Sequence, residues 1–358
     1  MIFRSQPGFE LLLEKELRTH GISASEIGSG WLRAATPPPA LPDLCFAHSV
    51  LTDPTEVTGE SVNALATRIL DIFLESARTE RFEGNWPCLF EAAAGLDGLG
   101  RRVDAVEKAF GELLRKRMGR VARLASPDKP RGITGASGAR GLFVFLTDFQ
   151  KAHVARTAHF NGQHRMADDP LAPSRSYLKI EEAYAVLGRE PAADETVVDL
   201  GAAPGGWSYS AAKRGARVIA IDNGPLKGGA LDHPLITHLR EDAFGWRPQK
   251  TDTTGGVADW MFCDLVDDPY HVMRNLVTPW LEGGWCRRFV VILKFGRTDP
   301  IALLRELRAA DSPFVRHAPG FRIRHLYHDR EEFTITGEVQ TMIHHKGTEA
   351  QRTKLEAK

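Results

Sequence analysis

The stretch Val197-Val-Asp-Leu-Gly-Ala-Ala-Pro-Gly-Gly-Trp207 decides the fold. The apolar run Thr196–Leu200 reads as a buried strand. It enters a glycine-rich turn, and residues 205–213 then read as a helix. Strand, glycine turn and helix in that order open a doubly wound sheet, where ligands sit in the crevice at the carboxyl ends of the strands. Glycine at the turn lets backbone approach a ligand with no Cβ in the way. The spacing is not that of a dinucleotide site, which calls for Gly-x-Gly-x-x-Gly with a helix N-terminus aimed at a pyrophosphate. Pro204 lacks an amide donor, and Asp199 at the end of the strand repels phosphate. An acid there suits a ligand with an amine and no phosphate, such as the methionine end of S-adenosylmethionine.

Outward from this stretch, strands and helices alternate. Residues 176–187, 271–281 and 301–309 read as helices. Residues 217–222, 236–240, 260–264, 289–294, 321–326 and 332–336 read as strands. Such alternation predicts an α/β class with a mostly parallel sheet covered by helices on both faces. The polar, proline-interrupted segment Ala167-Asp-Asp-Pro-Leu-Ala-Pro-Ser is a natural boundary. Before it, helical spacing over 9–17, 62–75 and 102–124 and strand-like runs over 88–94 and 141–147 give an irregular α+β pattern. The expected division is therefore 1–166, 167–344 and a polar tail at 345–358.

Acids fall where an adenosyl cofactor needs them. Asp222 ends the strand after the glycine turn, where a carboxylate can accept from both ribose hydroxyls. Asp242 follows the next strand and can accept from an adenine amino group. Either acid alone reads equally well as a loop or helix cap; acids at successive strand ends beside the turn favour the ligand. Asp264, Lys294 and Glu332 stand at the ends or starts of further strands. A lysine closing the apolar run Phe-Val-Val-Ile-Leu-Lys294 is costly unless it is paired or functional. Taken alone, Lys179 is a surface lysine on a helix. Together, Lys179, Asp264, Lys294 and Glu332 form alternating charges that can orient one lysine, hold it partly deprotonated, and let it take the proton of a ribose 2′-hydroxyl.

These residues lie in stretches that resemble a known family. They are Gln6-Pro-Gly-Phe-Glu, Ala172-Pro-Ser-Arg-Ser-Tyr-Leu-Lys-Ile-Glu-Glu-Ala, Val198-Asp-Leu-Gly-Ala-Ala-Pro-Gly-Gly-Trp, Asp222-Asn-Gly-Pro, Leu239-Arg-Glu-Asp, Trp260-Met-Phe-Cys-Asp, Gly284-Trp-Cys-Arg and Leu326-Tyr-His-Asp-Arg-Glu-Glu. The chain resembles the FtsJ-like RNA ribose 2′-O-methyltransferases, and within them the bacterial large-subunit rRNA methyltransferase M family. The resemblance is dense after residue 167 and thin before it. It implies a Rossmann-like class I methyltransferase domain preceded by a THUMP-type RNA-binding domain. It implies S-adenosylmethionine as cofactor and a cytidine ribose of 23S rRNA as substrate, with the reaction in the cytoplasm; we further expect no metal and a monomer. It carries cofactor contacts onto Ser176, Ala203, Pro204, Gly205, Gly206, Asp222, Asp242 and Asp264. It carries the proton acceptor onto Lys294, and Lys179, Asp264 and Glu332 complete the catalytic set, with Glu331 the alternative to Glu332. Where the family continues Leu-Pro after the acceptor lysine, this chain has Phe295-Gly296-Arg297. Two readings compete: an RNA-binding module with an idle methyltransferase fold, and 2′-O-methylation of another RNA. A nicotinamide oxidoreductase is disfavoured by the glycine spacing.

Composition excludes several other classes. Of 358 residues, 42% are hydrophobic and 26% charged, the proportions of a globular protein. The longest clean apolar runs are far short of the roughly 20 residues that span a bilayer. The first ten residues lack the apolar stretch of a signal peptide, which leads us to expect no membrane partner. The cysteines, Cys45, Cys88, Cys263 and Cys286, form no metal-binding spacing and read as reduced thiols. Lysine and arginine total 46, as do aspartate and glutamate, so formal charge is zero. A neutral chain argues against a nucleic-acid partner, yet the charge is uneven. Residues 1–100 carry seven basic and fourteen acidic side chains, and residues 101–165 carry fourteen basic and five acidic. Arg115, Lys116, Arg117, Arg120 and Arg123 sit in that basic stretch. They read either as a phosphate-binding patch or as a solvated face balancing the acidic first hundred residues.

Overall fold

A computed structural model describes residues 1–250 and 252–340. The expected tail at 345–358, and the expected domain end at 344, lie outside the described residues. The first half contains β1 (Ile2–Arg4), α1 (Glu10–Thr19), β2 (Ala24–Gly28), β3 (Trp31–Ala34), β4 (Ser49–Thr52), β5 (Thr55–Thr58), α2 (Val62–Ser76), β6 (Trp86–Ala92), α3 (Leu99–Arg117), α4 (Gly119–Leu124), β7 (Ala125–Ser126), β8 (Ala139–Leu146) and β9 (Lys151–Phe160). These strands form one mixed sheet in the order β2-β3-β1-β4-β9-β8-β6-β7, with β5 also paired to β9. The pattern is α+β, as expected. The helix expected over 102–124 is broken: α3 ends at Arg117, Met118 leaves helical geometry at φ −142°, and α4 restarts at Gly119. Leu99, Val103, Val106, Phe110 and Leu114 supply the helical stripe that buries α3.

The second half contains α5 (Tyr177–Leu187), β10 (Thr196–Leu200), α6 (Gly206–Lys213), β11 (Arg217–Ile221), β12 (Ile236–Leu239), β13 (Ala258–Cys263), α7 (Pro269–Val272), α8 (Thr278–Glu282), β14 (Cys286–Lys294), α9 (Pro300–Leu307), α10 (Pro313–His317), β15 (Arg322–Arg324) and β16 (Glu332–Glu338). A π-helical segment, Met273–Val277, joins α7 to α8, so the helix expected over 271–281 is continuous but not α throughout. The sheet order is β12-β11-β10-β13-β14-β16-β15. β10 through β14 run parallel, while β16 is antiparallel to both β14 and β15. The order reverses between β10 and β13, and at such a switch point the strand ends splay to leave a crevice. This is a mostly parallel, doubly wound sheet closed at one edge by an antiparallel pair.

One apolar core joins the two halves. Leu13 and Leu17 of α1, and Leu44, Phe46 and Val50, share a cluster with Val198, Met261, Val291, Leu304 and Phe333. Polar groups pin the seam. The buried Glu16 carboxylate accepts the N–H groups of Cys45 and Phe46 at 2.8 and 3.0 Å and pairs with Arg308 at 3.0 Å. Arg324, 1% exposed, pairs with Asp43 at 2.6 Å. No helix among the described residues is long and apolar enough to cross a membrane. All four cysteines are buried and free.

Candidate active site

Every residue of β10 is buried, so its direction is fixed by packing on both faces. Two positions of the turn that follows are crowded against their surroundings. A Cβ on Gly201 would lie 2.6 Å from Leu265, and one on Gly205 would lie 2.5 Å from the Ala230 Cβ. Both glycines hold positive φ, at 83° and 103°. Ser176, at the start of α5, faces the start of α6: its carbonyl accepts the Trp207 Nε1–H at 2.9 Å. Asp222, one residue past β11, reaches back to the turn and accepts the Ala203 N–H at 3.0 Å and the Gly224 N–H at 2.7 Å. Ser176, Ala203, Pro204, Gly205, Gly206 and Asp222 are thus brought together.

Asp199 and Asp242 stand apart from this group. Asp199 precedes the strand end by one residue and does not face the crevice. It is 1% exposed, and its carboxyl accepts the Ser208 hydroxyl at 2.6 Å. Burial pushes that carboxyl up to about 7. It ties the strand to α6. Asp242 is exposed and caps a turn by accepting the Phe244 N–H at 3.1 Å. Among the described residues, no hydrogen bond joins it to the rest of the set.

The four charged residues form a row. Lys294, at the end of β14, places Nζ 2.6 Å from Asp264 Oδ1, just past β13, and 3.3 Å from Glu332 Oε2. Lys294 and Glu332 stand directly opposite each other in the antiparallel register. The other oxygen of Glu332 lies 2.5 Å from Lys179 Nζ on α5. The order Lys179–Glu332–Lys294–Asp264 alternates in sign, so each carboxylate offsets the cost of the ammonium beside it. Glu332 rather than Glu331 takes part; Glu331 is exposed, and its carbonyl accepts the Phe295 N–H at 2.8 Å.

Burial by itself would lower the Lys294 pKa, but Asp264 and Glu332 outweigh it and leave the ammonium above the ordinary lysine value. The expectation that the set keeps a lysine partly deprotonated therefore fails for the resting protein. Two carboxylates touch this ammonium, and both favour its charged form. Burial would raise the Glu332 carboxyl, and Lys179 with Lys294 brings it below the ordinary value.

A cleft of about 920 Å³ opens over the row, lined in part by Lys179, Lys294, Glu332, Arg175, Arg330 and Gln6. Arg175 and Arg330 are exposed and make no ion pair among the described residues. Gln6 comes from the first half, and its Oε1 is shielded from solvent without a hydrogen-bond partner. None of these three was singled out from sequence. Gln6 lies in the quoted Gln-Pro-Gly-Phe-Glu stretch, but nothing local says that this stretch reaches a cleft whose other residues begin at Arg175.

Comparison with known proteins adds the following. The family model for FtsJ-like methyltransferases matches residues 172–276. The ribosomal RNA large subunit methyltransferase M of Laribacter hongkongensis is 31% identical over 362 residues, covering 93% of this chain and 95% of its own length. The protein of that name from Stenotrophomonas maltophilia is 36% identical over 253 residues, 66% of each chain. That from Azoarcus sp. is 41% identical over 176 residues, 46% of this chain and 45% of its own. Among solved structures, TrmN from Thermus thermophilus aligns over 94% of this chain and 99% of its own at 15% identity, with a TM-score of 0.32.

Proposed function

The chain belongs to the ribosomal RNA large subunit methyltransferase M family, and from that premise we propose that it methylates the ribose 2′-hydroxyl of a cytidine in 23S rRNA. The observation that carries this reading is the row Lys179–Glu332–Lys294–Asp264, set at the strand ends beside a glycine turn. S-adenosylmethionine supplies a methyl group already activated on a sulfonium. The residues present suit it: the turn admits no Cβ at Gly201 or Gly205, and Asp222 uses one lone pair on each oxygen to brace the turn, leaving others for ribose hydroxyls. Ser176, Ala203, Pro204, Gly205 and Gly206 would hold the methionine end, Asp242 the adenine amino group, and Asp264 the methyl-bearing side.

Lys294 acts as proton acceptor for the 2′-hydroxyl. Asp264 and Glu332 aim its Nζ, and Lys179 holds Glu332 from the far side. A sugar hydroxyl is a weak nucleophile, so fixing it in line with the methyl supplies much of the rate. Arg175 and Arg330 can grip phosphates flanking the acceptor. Residues 1–166 serve as a THUMP-type RNA-binding region and residues 167–344 as the catalytic domain, acting as a monomer in the cytoplasm. The test is to map 2′-O-methyl groups in 23S rRNA with and without the chain. One cytidine losing its methyl group in the chain's absence is expected. An unchanged map sinks the reading, and a changed site in a different RNA would move the substrate.

A further inference from the structure

Glu182 is fully buried and has no basic partner among the described residues. An unpaired carboxylate at such a place is costly unless backbone N–H groups satisfy it. Three do. His164 N–H and Tyr327 N–H reach Oε1 at 3.1 and 3.0 Å, and His328 N–H reaches Oε2 at 3.3 Å. The donors come from two separate segments. His164 belongs to the chain leaving β9. Tyr327 and His328 belong to the loop that delivers Glu332 into β16. Glu182 itself is on α5, three residues after Lys179 and therefore on the same side of that helix.

This arrangement answers a problem the row poses. Asp264, Lys294 and Glu332 sit on or beside neighbouring strands, so the sheet fixes their spacing. Lys179 does not: it comes from helix α5, which is seated on the sheet by Leu178, Ile180, Ala183 and Tyr184, and its 2.5 Å contact with Glu332 is made from the polar side of that helix. Of the side chains on α5, Glu182 holds the Tyr327–His328 loop by its backbone. Other contacts fix the loop's remaining sides: His48 Nε2 lies 2.8 Å from the His325 carbonyl, and His325 Nε2 lies 2.8 Å from the Arg330 carbonyl.

We propose that Glu182 is a positioning residue for methyl transfer, fine-tuning the register of Lys179 against Glu332 by gripping the loop that leads into β16 at Glu332; this rests on the function proposed above. Glu182→Gln keeps the shape but sets an amide NH2 against at least one backbone N–H. A displacement of about 1 Å in a catalytic set costs about 10²-fold, so kcat should fall between about 10- and 100-fold, with the KM for RNA and the affinity for S-adenosylmethionine within about twofold of wild type. Lys179→Met supplies the cycle: if Glu182 works through Lys179, the double variant is no slower than Lys179→Met alone. Multiplying losses, or a normal kcat in Glu182→Gln, would overturn the proposal. Should Glu182→Gln fail to fold, Glu182→Asp retains the carboxyl group with a shorter reach, and the same split and the same cycle apply to it. A wild-type chain inert toward every RNA overturns the functional reading and this inference together. An active wild type, an impaired Lys179→Met and a normal Glu182→Gln overturn this inference alone.

Discussion

Lys294 shows how one residue is set by its neighbours. It lies between two carboxylates that keep it charged, so as an acceptor it must lose its proton against their field. The base form is scarce below a raised pKa, and each pH unit gained there yields about tenfold more of it. We therefore expect kcat/KM to climb by about tenfold per unit from about pH 7 to 9, with no plateau in that range, and Lys294→Ala to lose turnover by orders of magnitude while S-adenosylmethionine still binds. A flat pH profile, or a Lys294→Ala variant with near-normal turnover, would remove Lys294 from that role. At this scale much was legible: a strand-end lysine and acids at successive strand ends are costly enough to stand out in sequence. Asp199 misled because a strand's last two residues look alike in sequence. Only the packing of α6 turns its carboxyl toward Ser208.

The loop between β15 and β16 is the element that matters most to the site. Asp329 in it is fully buried and accepts the Leu326 N–H at 2.9 Å and the Thr334 hydroxyl at 3.0 Å. Burial, with Glu332 nearby, pushes its carboxyl up to about 8. In the unfolded chain an aspartate titrates near about 3.9. The fold therefore favours the protonated acid, and this contribution is complete below the unfolded value and is lost as pH rises through about 8. Asp329→Asn, which mimics the neutral acid, should gain stability relative to wild type as pH rises from about 5 to 8. Thermal melts across that range check this, and a constant difference would mean that Asp329 titrates as it does in water. Elements were unevenly legible. Long periodic runs such as α2, and the buried parallel strands, declared themselves. β1 to β5 span three to five residues each, too short for alternation to register. β9, ten residues from Lys151 to Phe160, carries histidine, arginine and threonine among its apolar residues and was missed altogether. The break at Met118 has no signal beyond the glycine that follows it.

Across the whole molecule, zero net charge conceals an uneven surface. Arg115, Lys116 and Arg117 close α3, Arg120 and Arg123 follow in α4, and all five are exposed. Among the described residues, none of them has a carboxylate within ion-pair distance, so they do not balance the acidic first hundred residues by direct contact. If they meet phosphates, replacing Arg115, Lys116 and Arg117 with alanine should weaken RNA binding and make its dependence on the logarithm of salt concentration shallower by about 2. Binding isotherms at several salt concentrations measure this, and an unchanged slope would place the end of α3 away from the RNA.

The core shared by the two halves was not legible in sequence at all, since it joins α1 to residues some 300 positions away. It has a consequence for how the chain is made. Glu16 and Arg308 are separated by 292 residues. At roughly 5 to 20 residues added per second, the first helix waits between about 15 and 60 s on the ribosome before its partner has been synthesised. Over that interval Leu13 and Leu17 have only the first-half part of their cover, from residues such as Ile22, Leu32 and Phe46, so α1 settles fully only late. A growing chain of this protein should therefore expose the face of α1 that meets Arg308 and Leu304 to chaperones and proteases until those residues are made.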